Sequence, residues 1–234
     1  MKTLILSLLI LHIATGFTAL IVGLIPMFSK KGSRLHNRTG LIYVFCMIAV
    51  AITALLLCVL QPFKMMRLFL TGIAIFSFYL SMTGWRATKQ KTKSPGFGDR
   101  LLTRVTLLAS AAMIGFGIYL ISRPGDVFFP ILFTFFGTLT GVFAGQDYRQ
   151  IGRPVEKMHW FFQHFTRMGG SYIATFTAAL VTNITHVLPA DAPAFAGTIA
   201  WIAPSVAGGM LIGRTVAYYK KKFTTSKRSQ MTAI

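Results

Sequence analysis

The chain has 234 residues, 54% of them hydrophobic and 12% charged, and its mean hydropathy of +0.63 is too high for an ordinary soluble domain. Its 24 Lys and Arg against 5 Asp and Glu give a net charge of +19, which would suit nucleic acid if the cations shared one face. They lie instead in connections between apolar runs, as in membrane loops, so no nucleic-acid partner is expected.

Apolar windows of about 20 residues predict an all-α polytopic membrane bundle with seven transmembrane helices, over 3–26, 39–60, 66–85, 102–121, 127–145, 159–183 and 196–218. The first resembles a signal peptide in starting Met1-Lys2 before Thr3-Leu4-Ile5-Leu6. However, its apolar run continues through Pro26, and its small residues lie beside His12 and Gly16 rather than after a short core. It is expected to be a retained span. The second span holds Cys46 and Cys58, which on a straight helix are about 18 Å apart and cannot pair. After the third span, the polar, turn-rich segment 86–100 reads as a solvated loop near anionic lipid, with no chemistry of its own. Ser122-Arg-Pro-Gly-Asp126 is short enough to make the fourth and fifth spans a tight hairpin.

The connections alternate in charge. Lys30, Lys31, Arg34 and Arg38 follow the first span; Arg86, Lys89, Lys91, Lys93 and Arg100 the third; Arg149, Arg153 and Lys157 the fifth. The others carry Lys64 and Arg67, then Arg123, then no Lys or Arg between Thr185 and Ala194. The positive-inside rule puts the N-terminus outside and the C-terminus in the cytoplasm, as an odd number of spans requires. Residues 1–222 are expected to form the transmembrane domain and 223–234 a basic cytoplasmic tail. The expected partners are the bilayer of the cytoplasmic membrane and anionic headgroups at the basic loops; the sequence leaves the oligomeric state open.

The sixth span carries His164 and Arg167 in its first half, where charge is costly. At about 100° per residue His164, Met168, Ser171, Thr175 and Thr182 share one stripe, flanked by Arg167 and Tyr172. Lipid cannot satisfy these groups, so the stripe should face the interior. His12, Gly16, Ala19 and Gly23 share a face of the first span in the same way. The expected result is one polar pocket toward the cytoplasm between the first, second, fifth and sixth spans, lined by Arg167, Met168, Ser171, Tyr172 and Thr175.

Histidines on several membrane helices suggest haem, whose iron takes two axial ligands at one depth. A 1.5 Å rise puts His12 near the midplane, His36, His159 and His164 toward the cytoplasmic side and His186 at the outer surface. One haem b held by His36 with His164 (or with His159), with His12 nearby and Arg38 and Arg149 on the propionates, is the leading reading. A metal hydrolase would use His36, Asp147 and His164 as ligands. A solute or proton transporter would line its path with His12, His164 and Arg167. An accessory subunit would need no chemistry, and an Arg167–Asp147 ion pair could be purely structural. No Lys sits deep in a span for a retinal Schiff base, and there is no Gly-x-Ser-x-Gly or phosphate-binding Gly-rich motif.

Three stretches, His12-Ile-Ala-Thr-Gly16, Lys31-Gly-Ser-Arg-Leu-His36-Asn-Arg38-Thr-Gly40-Leu-Ile-Tyr43, and Asp147-Tyr-Arg149 with Trp160 through Asn183, resemble the predicted multi-pass membrane proteins grouped as domain of unknown function 2306. Asn37 stands where that family tends to have an arginine directly after the histidine. The resemblance implies a site built from His12, His36, Asp147 and His164, with Met168, Tyr172 and Asn183 beside them. It implies no reaction.

Overall fold

The computed structural model describes all residues except 154–157, 188–191, 194 and 232–234, together with the backbone but not the side chains of 185, 187 and 224–231. Lys157, counted in the charge pattern, and the side chains of the basic tail beyond residue 223 lie outside the described residues.

Seven long helices and one short turn of helix make up the described chain, with no strand: α1 Lys2–Phe28, α2 Arg34–Leu60, α3 Met65–Ala87, α4 Phe97–Ile121, α5 Phe128–Gln150, α6 His159–Thr182, α7 Ile184–Val187 and α8 Phe195–Met231. Six of them, α1 to α5 and α8, are long and apolar enough to cross a membrane. At 24 residues α6 is about 36 Å long, but its His, Arg, Gln and Ser side chains lower its hydropathy. Two helices, α2 and α4, begin five residues earlier than the apolar windows suggest. Ser33 caps α2 by accepting from the His36 backbone N–H at 3.2 Å, which puts His36 in the first helical turn. Asp147 falls in the last turn of α5, which runs to Gln150, and α8 continues unbroken past residue 223.

The centre of the bundle is α3, which packs on α2, α4, α5 and α6, while α1 pairs with α2 and α4 with α5. Phe69 sits edge-on to Phe133, Phe136 and Trp201 at centroid distances of 5.4, 5.7 and 4.9 Å. Such pairs add to their burial about 0.5 to 1.5 kcal/mol each. The Ser110 hydroxyl donates to the Gly137 carbonyl at 2.8 Å and ties α4 to α5. By contrast α1 and α8 bury little of their apolar surface, as expected of helices that face lipid.

Two glycines set the helix spacing at the site. A Cβ on Gly84 would stand 3.0 Å from Arg167 Cβ and from Met168, and one on Gly23 within 2.9 Å of the Tyr43 and Tyr172 rings. Their missing side chains let α6 lie against the end of α3 and against α1.

Candidate functional site

Polar side chains collect at one end of the bundle, where α1 and α3 finish and α2 and α6 begin. A helix leaves its last carbonyls without partners, and two histidines use them. His36 Nδ1 is 3.1 Å from the Pro26 carbonyl at the end of α1, and His164 Nδ1 is 2.9 Å from the Gly84 carbonyl near the end of α3. A carbonyl only accepts, so each Nδ1 carries a proton, and the tautomer this selects has its lone pair on Nε2. The two rings lie edge to face with centroids 6.2 Å apart and planes at 66°. The Lys31 ammonium, which donates to the Pro26 and Met27 carbonyls at 2.6 and 2.7 Å, is close enough to interact electrostatically with His164. Partial burial holds Lys31 below the usual lysine range.

A second cluster lies on the other side of α3. Asp147 accepts from the Tyr79 hydroxyl at 2.5 Å, from Arg167 Nη2 at 2.6 Å and from Gln163 at 3.1 Å. Arg167, only 3% exposed, also donates to the Phe143 carbonyl at 3.1 Å and lies 4.4 Å over the Phe143 ring. Its Nε has no protein partner among the described residues. The ion pair that the sequence offered is thus formed, and Tyr79, Gln163 and Phe143 satisfy most of the buried charge.

The remaining polar groups are packing bonds. Tyr43 Oη is within 2.8 Å of Ser171 and 3.1 Å of Thr175, and the Tyr172 hydroxyl donates to the Leu20 carbonyl at 3.0 Å. Met168 packs beside Tyr43 and Met47. His12 is far along α1, its Nδ1 2.9 Å from Thr53 Oγ1. The Thr53 proton is directed to the Ala49 and Val50 carbonyls, so its oxygen accepts from His12.

The single pocket expected between the first, second, fifth and sixth helices is therefore divided, because α3 runs through its middle. His36 and His164 come together on one side, and Asp147 with Arg167 on the other. His36, Asp147 and His164 do not meet, and no group of three His, Cys, Asp or Glu among the described residues is placed to hold a metal ion. Arg38 and Arg149 are exposed, and α5, which carries Arg149, packs on α3, α4 and α8 rather than on α1 or α2. His159 starts α6 and lines a different cleft, whereas Asn183 and His186 are exposed near the far end. Tyr79, Gln163 and the Gly84 and Pro26 carbonyls were not anticipated. The carbonyls leave no mark in a sequence, and an isolated Tyr in an apolar helix reads as core. No known family model matches this chain, and neither a curated protein nor a solved structure matches it.

Proposed function

We propose that this protein crosses the membrane seven times, α6 included, with the N-terminus outside, and that it binds one haem b between His36 and His164 as a one-electron redox centre. The observation that carries this reading is the facing pair of histidines. Both rings have Nδ1 fixed by a backbone carbonyl, the usual outer partner of a metal-bound imidazole, and both keep Nε2 for the iron.

The spacing fits. Two metal–imidazole bonds of about 2.0 Å, with about 1.1 Å from each nitrogen to its ring centre, would span about 6.2 Å, which matches the centroid separation of the two rings, and a ring would turn out of the edge-to-face contact for both Nε2 atoms to face the iron. The number of ligands also favours haem over a bare metal. A porphyrin supplies four nitrogens and needs two axial ligands from the protein, whereas a zinc site takes three or four protein ligands, and no third one joins this pair among the described residues. Lys31 and Arg34, on the turn beside His36, replace Arg149 as cations for the propionates.

The test is the absorption spectrum of detergent-purified protein after haem supplementation. A Soret band at about one haem per chain, lost in His36→Ala and in His164→Ala but kept in His159→Ala, is expected. No Soret band, or one that survives both substitutions, sinks the proposal. The topology is tested separately by labelling single cysteines in the α1–α2 and α2–α3 connections from either side of the membrane.

A further inference from the structure

A cleft opens at the same end of the bundle but on the opposite side of α3 from the histidine pair, with an empty volume of about 620 Å³ including its open mouth. It collects the loop after α3, the turn after α5 and the start of α6. Both carboxylates in its walls are already satisfied. Asp99 accepts from the Arg86 guanidinium, from Gln90 at 2.5 Å and from the Gly96 backbone at 2.9 Å, and Asp147 is held by Arg167, Tyr79 and Gln163.

With those acids neutralised, the cleft carries the charge of Lys93 and Arg153. Both line it and have no acidic partner among the described residues. Each reaches the cleft by a feature of its own loop. Lys93 lies two residues before Pro95, in the segment to which the sequence assigned no chemistry. Arg153 follows Gly152, whose φ of +78° turns the chain back after α5 as few other residues could. His159 and Gln150 add further N–H donors to the same walls. A planar guanidinium, an ammonium and further N–H donors around one solvent-open space match the oxygens of a phosphate.

We infer that this cleft binds a phosphate dianion, either free in solution as a phosphate monoester or as the headgroup of a phosphomonoester lipid. The site is independent of the haem proposal, since it shares no residue with the histidine pair and its binding needs no cofactor.

The test uses the full chain in nanodiscs of neutral phosphatidylcholine at low ionic strength, titrated calorimetrically with inorganic phosphate and with glycerol phosphate. A second arm places phosphatidic acid in the nanodisc and counts retained lipids by native mass spectrometry. Wild type should bind, Lys93→Gln/Arg153→Gln should bind at least about tenfold more weakly, and Lys30→Gln, an exposed cation elsewhere, should bind as wild type. Because Lys93 and Arg153 are both exposed, the double variant keeps its fold. Binding of the soluble anions assigns the site to free phosphate, and retention of phosphatidic acid alone assigns it to lipid. Absence of binding in both arms, or binding that the double substitution leaves unchanged, overturns the inference.

Discussion

His164 and Arg167 are three residues apart on α6, yet they serve clusters on opposite sides of α3: His164 Nδ1 bonds to the Gly84 carbonyl at 2.9 Å, and Arg167 reaches past it to Asp147 at 2.6 Å. The close approach of the helices at Gly84 makes both contacts possible.

Gly84→Val tests that approach directly. The added side chain meets Arg167 Cβ and Met168, and α6 must move away. Overpacking of this kind costs about 1 to 3 kcal/mol, and His164 should lose its carbonyl. Thermal unfolding in detergent should show the lower stability, with a matching fall in haem occupancy if the histidine pair is the ligand set.

Removing either member of the buried ion pair leaves the other uncompensated. Asp147→Leu and Arg167→Met should each destabilise the protein by about 3 to 5 kcal/mol, whereas the double variant should recover most of the loss, because two apolar groups need no solvation. Additive losses in a double-mutant cycle would show that the pair is not coupled.

Tyr79→Phe removes one hydroxyl from the cluster and nothing else. A hydrogen bond to a charged group contributes about 1.5 to 3 kcal/mol, and Asp147 keeps Arg167 and Gln163. A loss in this range, smaller than that of Arg167→Met, is expected from the same unfolding measurement.

His12 gives a contrasting outcome. Thr53→Val removes the acceptor of its N–H bond at a cost of about 1 kcal/mol, but the haem spectrum and phosphate binding should not change, because His12 is remote from both sites. A change in either would mean that His12 acts in one of them.

Membership of the bundle was readable from residue type alone. Runs of Leu, Ile, Phe and Ala too long for a soluble core give the apolar helices, and the short polar connections give their antiparallel order. The stripe on α6 was readable too: with 3.6 residues per turn, His164, Ser171 and Thr175 had to share a face, with Arg167 on one flank and Tyr172 on the other, and their partners lie on those sides. Tertiary structure alone decided what stands opposite the stripe. Tyr43 of α2 stands opposite Ser171 and Thr175, and α3 stands opposite His164, its contribution to the histidine site being the backbone oxygen of a glycine, and to the Asp147 cluster one tyrosine in an apolar helix. Hydrogen-bond acceptors at helix ends belong to every sequence equally. Only the packing of the chain could select Pro26 and Gly84 and separate one expected pocket into a histidine pair and an ion pair.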